Sequence, residues 1–76
     1  MAVASTTRRR QLAASGARIG RIRQQRELSR RVVAELAGIH ENTLKKIEGG
    51  DGNPTLSVLL GIAEALGVKV HELTCK

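Results

Sequence analysis

The chain contains no Phe, Tyr or Trp, and this absence limits its architecture more than any single motif does. A core without rings must be built from Leu, Ile, Val and Ala. Such short side chains suit closely packed helices better than a ligand pocket. Seventy-six residues leave room for one domain around one modest core. Single-stranded nucleic acid is normally held by stacking bases on aromatic side chains, so that mode of binding is argued against as well. Cys75 has no second cysteine to pair with, which excludes a disulfide framework or a thiolate metal site. A reducing, cytoplasmic setting is expected, with no metal and no cofactor. No apolar run approaches the length of a membrane span, so no membrane partner is expected. Residues 1–17 are basic and poor in acids, as in a transit peptide, but lack the apolar stretch of a secretory signal.

Periodicity then divides the chain into helices. Residues 1–7 read as a disordered tail of small and polar residues, residues 8–73 as the folded domain, and residues 74–76 as a loose end. A first helix carries Leu12, Ile19 and Ile22 on one side and stops near Glu27; Gly16 and Gly20 weaken it but permit close approach of a neighbour. Ser29 is an N-cap for a second, short helix with Val33, Ala34 and Ala37 at helical spacing, and Gly38 stands where a left-handed cap is wanted. A third helix spans Glu41 to Glu48 with Leu44 and Ile47 as its buried stripe, ended by Gly49-Gly50. Residues 49–54 form a loop. Thr55 caps a fourth helix with Leu56, Leu59, Leu60, Ala63 and Leu66 as its apolar face, closed by Gly67, and Val70 and Leu73 anchor a last helical turn. No segment alternates with a period of two, so the expected class is all-α, a compact bundle of four or five helices.

Charge is distributed unevenly. All nine arginines lie between Arg8 and Arg31 with Glu27 as the only acid among them, whereas from Val32 onward four lysines face six acids. A half of net charge +8 thus precedes a half of −2. One-sided charge of this kind suits a polyanion partner, although a merely solvated basic face has the same signature.

Two short helices separated by about three residues, with a glycine at the break, have the layout of a helix-turn-helix. The glycine serves a left-handed turn, and Ala34 is small where the second helix of the pair crosses. From Gly16 to Leu73 the chain resembles the Cro and lambda-repressor type of helix-turn-helix domain, a five-helix fold (XRE-like). The resemblance is carried by Leu28-Ser29-Arg30-Arg31-Val32-Val33-Ala34-Glu35-Leu36-Ala37-Gly38-Ile39, by Thr43-Leu44-Lys45-Lys46-Ile47-Glu48, by Asn53-Pro54-Thr55-Leu56, and by the run from Leu59 to Val68.

The resemblance implies roles residue by residue. Arg30 takes the slot at the start of the second helix where a Gln usually meets a DNA phosphate in this family, and with Arg31 is read as a phosphate contact. Both oppose the helix dipole, a cost that a neighbouring phosphate would offset, with exposed surface charge as the alternative. Glu41, Asn42, Lys45 and Lys46 lie on the exposed face of the helix that would enter a DNA groove. Asn pairs with adenine N6 and N7, Glu accepts from the cytosine amine, and Lys donates to guanine or phosphate. Asn42 and Lys46 are the leading base contacts; Glu41 serves equally as a favourable acid in the first helical turn, and Lys45 as a solvated charge. His40 and Asn53 fall at phosphate-contact positions, His40 with a passive turn role as the safer reading. Arg23 and Glu48 match a structural salt bridge between the first and third helices. The loop after the third helix, often basic in this family, holds Asp51 and Gly52 here, so Arg8, Arg9 and Arg10 are read either as a DNA arm or as the first turn of the first helix. Val32, Leu36 and Val58 stand where polar surface is usual and are possible partner contacts. Val32 and Leu36, four apart on the second helix, would form an exposed ridge for another chain, or these are scattered surface apolars.

The expected function is therefore a sequence-specific regulator of double-stranded DNA, a repressor acting as a homodimer on a near-palindromic site. The competing class is a protein-interaction module, such as an antitoxin or adaptor. An enzyme is not expected, since His40 and His71 have no neighbouring residues that would complete a nucleophilic or metal site.

Overall fold

The computed structural model describes residues 2–74, with side chains from Thr7 onward. Five helices follow one another: α1 (Ala2–Gln25), α2 (Arg30–Ala37), α3 (Glu41–Glu48), α4 (Leu56–Leu66) and α5 (His71–Thr74). Cys75 and Lys76 lie outside the described residues. Two boundaries differ from the sequence reading. Helix α1 is already formed at Ala2, where a disordered tail over 1–7 was expected; no Gly or Pro interrupts residues 2–15, and each added residue extends an existing helix at little cost. Thr74 closes α5 instead of fraying, its hydroxyl donating to the Val70 carbonyl at 3.4 Å.

Local chemistry sets where each helix starts and stops. Ser29 Oγ accepts from the Val32 amide at 3.1 Å, and Thr55 Oγ1 from the Val58 amide at 3.2 Å. Helices α2 and α4 end alike. Gly38 (φ +74°) and Gly67 (φ +73°) turn left-handed, and the next residue donates back to the final turn, Ile39 to Ala34 at 2.9 Å and Val68 to Ala63 at 3.0 Å. The end of α1 uses the same turn without a glycine: Glu27 holds φ +56°, and the Leu28 amide reaches the Arg23 carbonyl at 3.1 Å. A left-handed glutamate costs about 1–2 kcal/mol, so packing around Leu28 must hold it.

The core contains Ile19 of α1, Val33 and Ala34 of α2, Leu44 and Ile47 of α3, Ile62, Ala63 and Leu66 of α4, and Leu73 of α5. Helix α4 packs on α2, while α1 packs on α3 and α5. The α4 stripe is rotated from the expected one. Leu56, 65% exposed, and Leu60 point outward; Ile62 is buried in their place. Leu, Ile and Ala surround this short helix on nearly all sides, so its pattern alone does not choose the inner face. Val58, read from the sequence as a surface position and possible partner contact, is instead half-buried against the core. Val32 and Leu36 are exposed, Leu36 at 65%.

Helix α3 can approach α1 this closely only because of α1's small residues. A Cβ at Gly16 would run into the Ile47 carbonyl oxygen, which is backbone and cannot step aside, whereas one at Gly20 would meet only the Glu48 carboxylate at 3.4 Å. Alanine is intrinsically the better helix former by about 1 kcal/mol. Gly16→Ala should nevertheless destabilise the fold by about 1–3 kcal/mol through overpacking, while Gly20→Ala should be neutral or stabilising. Urea titration of the two variants checks this opposite sign; equal effects would mean that the α1–α3 approach is not limited at Gly16.

Candidate nucleic-acid interface

Helix α3 is held by two buried anchors, Leu44 and Ile47; Glu41, Asn42, Thr43, Lys45 and Lys46 are exposed, while the side chain of Glu48 at its end is nearly buried. At about 100° per residue, Asn42, Lys45 and Lys46 centre on the face opposite those anchors. Glu41, three residues before Leu44, and Thr43 fall on its two flanks, and both are exposed. Thr43 was not singled out from the sequence, where it read only as part of the matching run. His40 is the N-cap of α3 in extended conformation (φ −76°, ψ 149°), but its side chain makes no capping bond. Asn53 is exposed in the loop of residues 49–55.

The helix-turn-helix is fastened to the rest of the molecule by one carboxylate. Arg23 Nε donates to Glu48 Oε2 at 2.7 Å, and Arg23 Nη2 to Oε1 at 3.2 Å. The third arm of the guanidinium, Nη1, donates to the Leu28 carbonyl at 2.8 Å. A bidentate pair of this kind fixes direction as well as distance. Glu48 is also reached by Arg30, whose Nε donates to Oε1 at 3.0 Å. The Nε of Arg30 is thus committed to Glu48, and the other guanidinium nitrogens remain for an outside anion. Arg31 is exposed.

A groove beside these groups is lined by Gly20, Arg21 and Gln24 of α1, Arg30 of α2, and Lys45 and Glu48 of α3. Three cations against one acid, itself twice ion-paired, make it electropositive. Arg21 and Gln24 were missed from the sequence. Helical phase could have grouped them, but which arginines of α1 flank α3 depends on how the two helices cross.

The arginine triplet proves to be divided. It lies within α1, neither an extended arm nor a first turn. Arg8 and Arg9 line an open groove with Leu12 and residues Gly50, Asp51, Gly52 and Asn53. Arg10 instead lines a separate one with Gln11, Arg18 and Thr74. Among the described residues, no group of three His, Cys, Asp or Glu could hold a metal ion, and no helix is long and apolar enough to cross a membrane.

Two short helices joined by a left-handed glycine, the second with a polar face turned outward beside a basic groove, define a helix-turn-helix unit. The family profile described as "Helix-turn-helix domain" matches residues 14–74, and the chain belongs to that family. It is 42% identical over 58 residues, or 76% of its own length, to the immunity repressor protein of Bacillus phage phi105. It spans only 40% of the length of that repressor. Its structure is similar to the crystal structure of the restriction-modification controller protein C.AhdI from Aeromonas hydrophila, with a TM-score of 0.79 and 31% identity. That match covers 82% of this chain and 94% of the controller.

The geometry of the Glu48 cluster separates its partners. Glu48 and Arg23 are nearly buried, their side chains 6% and 10% exposed, while that of Arg30 is 40% exposed. Glu48→Gln should therefore cost about 3–5 kcal/mol, since it strands a buried guanidinium. Arg30→Gln should cost about 1 kcal/mol or less. Denaturant titration of both variants measures the difference, and comparable losses would show that the exposed arm carries as much as the buried one.

Proposed function

We propose that this chain is a transcription regulator that binds double-stranded DNA, with α3 lying in the major groove. The observation that carries the reading is the outward face of α3, where Asn42, Lys45 and Lys46 stand over two buried anchors beside the groove of Arg21, Arg30 and Lys45. Bases are read by Asn42 and Lys46, with Glu41 at the flank and Lys45 shared between base and backbone. Arg30, Arg31, His40 and Asn53 contact phosphates. The names of the relatives, an immunity repressor and a restriction-modification controller, support a regulator and favour a repressor. Such a protein works in the cytoplasm, on the nucleoid.

In this reading two copies act together on a near-palindromic operator, each placing one α3 in successive major grooves about one helical turn apart. The exposed apolar pairs Val32 and Leu36 on α2, and Leu56 and Leu60 on α4, favour contact with another chain. They equally favour the second reading, an interaction module of the antitoxin or adaptor kind that grips a partner protein.

Selection from random duplex DNA tests the proposal. The expected result is an enriched motif with two inverted half-sites, bound with an affinity that falls steeply with salt as counterions are released. Asn42→Ala should lose about 1–3 kcal/mol of discrimination at one base pair of each half-site. Arg31→Ala should weaken all sequences alike. No enriched motif, or a duplex affinity insensitive to salt, would favour the interaction module; an unchanged motif with Asn42→Ala would show that another residue reads the bases.

A further inference from the structure

The loop between α3 and α4, residues 49–55, contains no cation and one acid, Asp51. It is nevertheless pressed onto α1. Gly50 takes φ +83°, and a Cβ built there would lie 3.0 Å from the Ala13 Cα. Helix α1 therefore passes the loop at Ala13 and continues for more than two turns on its N-terminal side. Residues four apart on a helix share a face, so Arg9, four before Ala13, is aimed past the loop, with Arg8 beside it. Both arginines are exposed and line the same open groove as Gly50, Asp51, Gly52 and Asn53. Arg10 is turned away toward Arg18 and the end of α5.

The groove of Arg21, Arg30 and Lys45 reaches Gly49, and the groove of Arg8 and Arg9 begins at Gly50. Along α1, Arg21 of the first groove lies twelve and thirteen residues after Arg9 and Arg8 of the second, an axial rise of about 19 Å at 1.5 Å per residue. That span exceeds the width of a DNA major groove, about 12 Å. Two cationic grooves so spaced can hold the two backbones that border a major groove, with α3 between them.

We propose that Arg8 and Arg9, together with the loop of residues 50–53, form a second phosphodiester-backbone site, so that α1 supplies the cations that the loop lacks. The site rests on the proposed DNA-binding function and extends it to a second backbone segment. Asp51 lowers the charge of this groove and limits its grip. Arg10, of the same type and adjacent in sequence, does not take part.

The test uses the full chain on the duplex obtained by selection, with binding followed across a potassium chloride series and by phosphate-ethylation interference. Arg8 and Arg9 are exposed, and Gln matches Arg in helix propensity, so R8Q/R9Q should keep its helical circular dichroism. The double variant should flatten the slope of log affinity against log salt by about 1.8, or 0.9 per lost phosphate contact. It should also lose interference at one backbone segment of each half-site, with base preference unchanged. R10Q should keep that segment, and Asp51→Asn should tighten binding. If R8Q/R9Q matches the parent in slope and interference, or if R10Q loses the same segment, this inference fails while the DNA-binding reading stands. A parent chain that binds no duplex overturns both.

Discussion

The carboxylate of Glu48 joins the three helices on which the candidate interface depends. It sits at the last residue of α3, receives two bonds from Arg23 of α1 and one from Arg30 of α2, and is almost wholly buried. A buried pair of this kind contributes little net stability compared with apolar packing, because its desolvation offsets much of the attraction. What it contributes is direction. A bidentate guanidinium tolerates little rotation, so the end of α3 is held at one angle to α1. The third nitrogen of Arg23 ties the α1–α2 turn into the same arrangement through the Leu28 carbonyl.

Small residues let this polar clasp form. Gly16 brings the α1 backbone against the Ile47 carbonyl, and Gly50 rests on Ala13. With no aromatic rings to span wider gaps, the helices must come close for a core of Leu, Ile, Val and Ala to fill at ordinary packing density. Close approach and the lack of rings are thus two sides of one design. The outward face of α3 is a consequence: Leu44 and Ile47 are locked inward, and the polar residues between them have nowhere to go but out.

The electrostatics follow from the same arrangement. The sequence concentrates its arginines before Val32, but the fold divides them. Arg23 is withdrawn into the clasp, Arg30 is half engaged there, Arg21 remains beside α3, and Arg8 and Arg9 are carried to the far side of the loop. A charge count therefore overstates the number of cations available to a polyanion and says nothing about where they stand.

Much of the fold was legible from local chemistry alone. Ser29, Gly38, Thr55 and Gly67 mark their helix ends because capping and left-handed turns are decided within a few residues, and Leu44 and Ile47 named the inner face of α3 because only two apolar residues were available to bury. Where apolar residues were in excess, the sequence had no means to choose, and the tertiary contacts of α4 turned Leu56 and Leu60 outward and Ile62 inward. The reach of α1, the second partner of Glu48 and the division of Arg8 and Arg9 from Arg10 were likewise decided in three dimensions. Each depends on the crossing of helices far apart in the chain, and a periodicity read along one helix does not contain the angle at which another meets it.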